Sequence, residues 1–301
     1  MAGRHQGTAA LPDAQYRRPA SLDSTGLIAT LWSEDGVNAG VFDFGPLPGG
    51  LQLADTPERL DWLRMAQARG RYLGMHMEIV SMKEAKEINP LLEEKFFVGA
   101  LYDEDEGSVD PTGVTNAYLI CARNRGAEVY QDTWVKALSQ RPDGTWDVVT
   151  EKGTIHAEHI VNAGGLWARE VGHLAGIHLP VQPMEHHYLM TEPMPEVIEY
   201  NQTNGRELPH MIDFAGEIYA RQEGQSILLG TYEQDNRVWS AKQTPWDFVS
   251  QLLPHDLDRI SPELERAFDH FPAVGRAGIQ KFVNGPFTFS PDGNPLVGPI
   301  K

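Results

Sequence analysis

The sequence predicts a mixed α/β protein with two parts, a nucleotide-binding half and a second, more antiparallel sheet. Three observations predict it. Ile160-Val161 runs into the small-residue turn Asn162-Ala163-Gly164-Gly165, and a helical pattern follows at once. In doubly wound sheets such a strand-end crevice lets backbone lie against a dinucleotide. Helix, strand and hairpin patterns precede that turn from 111 onward. After 177, strand patterns rich in aromatic residues take over and crossover helices are few.

The elements follow in order. Residues 1–35 are mildly basic (Arg4, His5, Arg17, Arg18) and weakly periodic, with a helix expected over 24–34. Val41-Phe42-Asp43-Phe44 and Leu51-Gln52-Leu53 flank a Pro/Gly turn and read as a hairpin. Thr56-Pro57-Glu58-Arg59 opens a helix to about 73, with a cap, a proline at the first position and then an acid. Ser81 with Glu84 opens a short second helix that stops before Pro90. Residues 99–102 read as a strand, and 111–125 as a helix with Val114, Ala117, Tyr118 and Cys121 on one face. Strands are expected at 126–130, 133–135 and 160–161, with a hairpin from 146–150 to 154–157. Further on, strands are expected at 181–191, 218–221, 226–232 and 279–284, and helices at 245–253 and 262–271.

Composition narrows the function classes. A chain of 301 residues with 41% hydrophobic content can bury a large core. A formal charge of -17 excludes nucleic acid and anionic membrane surfaces as partners, because both repel a net anion. The single cysteine, Cys121, excludes an internal disulfide framework and reads as core. No stretch approaches the ~20 apolar residues of a membrane span. Arg17-Arg18 is followed by Pro19, Ser21, Asp23 and Ser24, not by the apolar segment of a secretion signal. Asp103-Glu104-Asp105-Glu106-Gly107 lacks the spacing of a calcium loop and reads as a solvated turn. His186 and His187 are neighbours on a strand and point to opposite faces, so they do not chelate one ion and no metal is expected.

Val161-Asn162-Ala163-Gly164, Glu185-His186-His187-Tyr188, the run from Ile218 to Glu223, and Asn284-Gly285-Pro286-Phe287-Thr288-Phe289-Ser290-Pro291-Asp292-Gly293 together resemble the FAD-dependent amine oxidoreductases. The branch they resemble is that of dimethylglycine and sarcosine dehydrogenases. Gly107-Ser108-Val109-Asp110-Pro111 and Leu228-Leu229-Gly230-Thr231-Tyr232-Glu233 fit it too, and the resemblance runs in order from about 41 to 299. It implies a glycine-oxidase-type fold, with an incomplete FAD-binding Rossmann-like domain and a substrate domain built on a mixed sheet. Its boundaries would be an ill-defined 1–40, substrate-domain segments 41–106 and 177–282, and FAD-domain segments 107–176 and 283–301.

The resemblance implies FAD as cofactor and hydride transfer from a small N-methylated amine or amino acid such as dimethylglycine or sarcosine. The family's G-x-G-x-x-G turn, which holds the FAD pyrophosphate, is not in the sequence, so weak FAD binding is expected. His5 fits the pattern for covalent flavin attachment poorly. The alternative is a non-catalytic truncated product, or a subunit that completes its flavin site with another chain. Folate or an electron acceptor would be partners through further modules, and oligomers are expected. The location implied is cytoplasmic, with the mitochondrial matrix as the alternative.

Residue by residue, the resemblance places His186 and Tyr219 at the catalytic positions and Tyr188 and Arg221 at the substrate. It places Val135, Ala163, Gly164 and Trp167 at the cofactor. Oxidising an amine needs a neutral nitrogen, hence a proton acceptor near neutral pH, and histidine is suited to that. On strand alternation His186, Tyr188 and Met190 share one face, while Glu185, His187 and Leu189 share the other. Read from the residues alone, His186 also fits a hydrogen-bonded core histidine and Tyr219 a core aromatic. Arg221 also fits a surface ion pair, and Trp134 and Trp167 core residues.

Overall fold

The computed structural model describes residues 28–32, 38–43, 47–108 and 110–300. The chain begins with an antiparallel pair, β1 (Ile28–Trp32) and β2 (Asn38–Asp43). The helix expected over 24–34 is therefore a strand in its described part. The β-branched residues of Ile28-Ala29-Thr30 suit the extended state once β2 supplies a partner. Nor do the segments on either side of the Pro/Gly turn form a hairpin. The second of them, β3 (Gly50–Ala54), pairs instead with strands far along the chain.

Helix α1 (Pro57–Tyr72) starts as its sequence dictates: Thr56 Oγ1 accepts the Arg59 N–H, and Pro57 occupies the first turn. After β4 (Met77–Val80), α2 (Met82–Ile88) carries the full capping box of Ser81 and Glu84. Strand β5 (Gly99–Asp103) and α3 (Pro111–Asn124) follow, the latter capped by Asp110. On α3, Ala117 and Cys121 are buried as expected, but Tyr118 is exposed.

Next come β6 (Val135–Gln140), β7 (Trp146–Thr150) and β8 (Gly153–Ala157), an antiparallel sheet of three strands. Segments 126–130 and 160–161 were expected as strands and are coil. A strand needs a ladder partner, and neither has one among the described residues. The helical pattern behind the small-residue turn is α4 (Ala168–Leu174).

The remaining elements are β9 (Gln182–Thr191), α5 (Pro195–Asn204), β10 (His210–Asp213), β11 (Ile218–Glu223), β12 (Ser226–Thr231), α6 (Leu257–His270), α7 (Pro272–Arg276) and β13 (Ile279–Phe289). Segment 245–253 was expected as a helix and is not one. Its groups are taken one by one: Leu253 N–H bonds Asn284 O of β13, and Pro245 O accepts from the Trp167 indole. Helix α6 starts five residues earlier than expected and runs through Pro262. The carbonyl of Asp258, which Pro262 cannot serve for want of an N–H, accepts the Ser261 hydroxyl at 3.0 Å instead.

Eight strands form the main sheet, in the order β13-β9-β12-β11-β10-β3-β5-β4. All neighbours are antiparallel except β3 and β10. The boundary expected at 282/283 falls inside β13. One face of the sheet carries the core, where Leu189, Leu229, Ala220, Met211 and Leu51 pack with Ile260, Leu264 and Ala267 of α6. Those three residues recur at the spacing of one helical stripe. Under α1, Leu63 closes a smaller cluster with Ala54, Met77 and Leu101.

Helix α4 is tied to the sheet by a buried ion pair. Arg169 Nη2 lies 2.9 Å from Glu170 Oε1. Arg169 also donates to Gln182 Oε1 on β9 and to the carbonyls of Ser240 and Ala241, and Glu170 accepts the Thr244 N–H at 2.7 Å. Glu170→Ala leaves a buried guanidinium without its carboxylate and is expected to cost on the order of 3 kcal/mol in urea denaturation. Arg276→Ala, which breaks an exposed pair with Glu196, is expected to be close to neutral in the same measurement.

Candidate active site

The other face of strands β13, β9, β12 and β11 gathers the residues predicted for catalysis and substrate, while those predicted for the cofactor lie off this sheet, Val135 on β6 and Ala163, Gly164 and Trp167 in and after the small-residue turn. Directly paired residues of an antiparallel sheet share a face. The register Tyr219↔Gly230↔Tyr188↔Val283 therefore lines up one row across four strands. Two residues along β9, His186 sits opposite Gly285 of β13 on the same face. The structure thus brings His186, Tyr188, Tyr219 and Arg221 onto one surface, as alternation predicted for His186 and Tyr188.

His186 is partly buried in a group of rings. The Tyr219 ring is parallel to it at 6.1 Å, Tyr232 lies at 4.9 Å and Phe287 at 5.5 Å. Its Nε2 is 3.4 Å from the Tyr219 hydroxyl, and its Nδ1 is buried with no hydrogen-bond partner. Tyr219 can lie this flat because Gly230 faces it; a Cβ there would stand 2.1 Å from the ring. Tyr232 and Phe287 remain 47% and 48% exposed, so the ring cluster opens to solvent. Sequence reasoning quoted both within motifs but did not single them out. The available signal was alternation, since Tyr232 follows Gly230, and Phe287 follows Gly285, at strand spacing.

Burial sets the protonation of this group. Loss of solvent holds His186 below the usual histidine range, although the Glu233 carboxylate opposes that effect. Burial, with Tyr232 and Tyr188 nearby, pushes Tyr219 up to about 12. Near pH 7 the pair is thus a neutral imidazole beside a neutral phenol, an acceptor next to a donor. Arg221 is engaged, with Nη1 2.6 Å from Glu223 Oε2 and a further bond to Gln222 O. A ligand carboxylate would share Arg221 with Glu223.

His187 points the other way and is fully buried. Its Nε2 accepts the Asp256 N–H at 3.2 Å, and its Nδ1 faces Arg259 Nη2 at 2.8 Å. Arg259 in turn meets Glu185 at 3.1 Å and Glu233 at 3.5 Å, while Asn284 Nδ2 donates to Glu185. This knot joins α6, β9 and β13 behind the ring cluster.

The small-residue turn is exposed and tightly wound. Asn162 Oδ1 accepts the Gly164 N–H, and Asn162 Nδ2 donates to Ala168 O. Gly165 takes a φ of 52, in the left-handed region, and starts a short 3-10 turn that packs beside β13. Val161 is 87% exposed and Ala163 is exposed as well. Trp167 spends its indole N–H on Pro245 O at 2.8 Å. Val135 begins β6, in the other sheet, and is 38% exposed.

A flat, polar-edged cofactor fits these residues. His186 Nδ1 is a buried group awaiting a partner. Gly285 beside it leaves open space where a side chain would stand, since a Cβ there meets nothing within 4 Å. The exposed turn flanks the same strand, β13. A metal reading gains nothing at His186 and His187, whose rings lie on opposite faces. His76, Glu104 and Asp105 do converge, but at a solvent-facing turn, as the acid run predicted.

Residues 4–301 match the FAD dependent oxidoreductase family, and the chain belongs to it. Within that family it is 38% identical over 257 residues to mitochondrial dimethylglycine dehydrogenase of Rattus norvegicus, covering 84% of this chain and 30% of that protein. It is 29% identical over 255 residues to mitochondrial sarcosine dehydrogenase of Mus musculus, covering 83% and 27%. The chain thus spans under a third of the length of these relatives. L-proline dehydrogenase from P. horikoshii shares the fold, with a TM-score of 0.71 at 24% identity over 86% of this chain and 65% of that one.

The lowered proton affinity of His186 makes a prediction that needs no cofactor. The unfolded histidine binds a proton that the folded one resists. Its contribution to stability is therefore complete above about pH 6.5 and is lost as pH falls below that value. Urea midpoints are expected to fall from pH 7 to pH 5.5 in the wild type, and less steeply in His186→Asn.

Proposed function

We propose that this chain forms the amine-oxidising core of an FAD-dependent dehydrogenase acting on a small N-methylated amino acid, such as dimethylglycine or sarcosine. One observation carries the reading. A neutral histidine with an unpartnered buried nitrogen stands in an open aromatic cluster, beside a small-residue turn suited to a dinucleotide. The names of the relatives support the substrate class.

Bound FAD would supply the acceptor for a hydride from the N-methyl carbon. The chain's own residues prepare the amine. His186 takes the ammonium proton, which frees the nitrogen lone pair. Tyr219 donates its hydroxyl hydrogen to the ligand or to His186 and, with Tyr188 and Arg221, orients the substrate carboxylate. Tyr232 and Phe287 receive the methyl groups and shield the reacting carbon from water, and their ring faces favour the cationic amine before it is deprotonated. The iminium product adds water and yields the demethylated amine and formaldehyde, or its carbon passes to folate where a folate module is present. Ala163, Gly164, Trp167 and Val135 are the residues proposed to line the dinucleotide. The mitochondrial matrix is favoured over the cytoplasm, because these relatives are mitochondrial.

The test begins by titrating FAD into the chain and following flavin fluorescence. Anaerobic addition of dimethylglycine or sarcosine should then bleach the visible flavin band. His186→Ala is expected to slow that bleaching by roughly 10²–10⁴, while His187→Ala mainly lowers Tm. A chain that takes up FAD but is not reduced by either amine would overturn the substrate assignment. A chain that takes up none would overturn the cofactor assignment.

A further inference from the structure

We propose that Trp134 and Trp246 seat the adenine ring of the dinucleotide, at the end of the cofactor away from His186. Their indole rings meet with centroids 6.1 Å apart and planes inclined by 52°. Trp134 stands just before β6, where its carbonyl accepts the Glu151 N–H at 3.2 Å, and the residue is 50% exposed. It is thus not the core residue that its type alone suggests. Trp246 lies on the irregular segment between β12 and α6 and is partly buried. That segment is pinned on both sides of it. Thr244 is fully buried, with its N–H on Glu170 Oε1 and its hydroxyl directed at Leu166 O at 3.4 Å. Beyond Trp246, the Phe248 ring packs on Trp239 at 4.5 Å. Trp246 is therefore held in place by its neighbours, while its own ring belongs to neither core cluster of the described residues.

The surroundings of the pair select its occupant. Pro245 O, one residue before Trp246, accepts the Trp167 indole N–H at 2.8 Å, so the small-residue turn leads directly to the tryptophans. On its other side the turn packs beside β13, the strand of Gly285 and Phe287, and α4 behind it packs on β6. The order across the surface is thus ring cluster, small-residue turn, Trp167, Trp246 and Trp134. Val135, proposed above to line the dinucleotide, is the next residue after Trp134. The inference rests on that cofactor reading: with the flavin end at the ring cluster and the turn along the dinucleotide, the base falls at the two tryptophans. Large rings left open at a surface are apolar area that invites a ligand, and a flat purine offers them a matching π-face.

The test uses the full chain and two probes, FAD and adenosine diphosphate, read by NMR at the adenine H2 and H8 protons. On binding to the wild type both protons are expected to shift upfield, the mark of a base stacked on an aromatic ring. Trp246→Leu and Trp134→Leu keep apolar bulk but remove a π-face, and each is expected to weaken both probes by about tenfold and to diminish the upfield shift. Trp246→Phe keeps a flat ring and should retain the shift and most of the affinity. Circular dichroism checks that each variant folds. The two Leu variants lie on separate segments, so either one, if folded, decides the question. FAD binding unchanged in a folded Leu variant, or an equal loss in Trp246→Phe and Trp246→Leu, would overturn this proposal and leave the cofactor reading standing. A wild type that binds neither probe would overturn both. Dimers that dissociate in the Leu variants while adenosine diphosphate binding stays unchanged would make the pair an interface between copies, and would overturn the proposal as well.

Discussion

The pleat of β9 is the constraint on which the site depends. Because β9 is paired along most of its length with β13 and, over part of it, with β12, its alternation cannot slip. His186 is thereby held among Tyr219, Tyr232 and Phe287, and His187 is held in the ion knot with Arg259. A slip of one residue would place an imidazole anchored to α6 in the open cluster and bury the free one. The two faces serve different ends. The knot face fixes the strand against α6 and β13; the ring face stays half open, uncharged at its centre and short of hydrogen-bond partners. Unsatisfied, desolvated groups of this kind are costly in a folded chain and gather where a ligand completes them.

Glycine makes the ring face possible. Gly230 removes the side chain that would strike Tyr219, and Gly285 leaves room beside His186. The rings and the glycines alternate across neighbouring strands, so the surface is flat where glycines stand and walled where rings do. The Arg169–Glu170 pair then links this sheet to the small-residue turn through Gln182 and the 240–244 loop. The buried charge pair thus ties the helix behind the turn to the strand that carries His186.

Much of this was legible in the sequence, for local reasons. The caps at Thr56 and Ser81, the alternation around His186 and the hairpin from 146 to 157 depend on residues close together in the chain. What was not legible depended on distant partners. Strand β3 reads locally as half of a hairpin, yet its neighbours are β5 and β10. Segments 126–130 and 160–161 have strand-like sequences, but local pattern does not reveal whether a partner lies alongside. The start of α6 was hidden by Pro262, whose lost bond Ser261 repairs through a side chain. Helix α5 does carry local marks, Pro195 at its start and Gly205 at its end. The family resemblance points to His186 and Tyr219, and strand alternation to the face that His186 shares with Tyr188.

The measurement that tests this account most directly is a crystal structure of the chain with FAD and dimethylglycine under reducing, anaerobic conditions. The account predicts the amine nitrogen within hydrogen-bond reach of His186, its methyl groups against Tyr232 and Phe287, and His187 unchanged in its contacts with Arg259 and Asp256. A ligand bound away from the ring face, or one that reaches His187 and not His186, would contradict it.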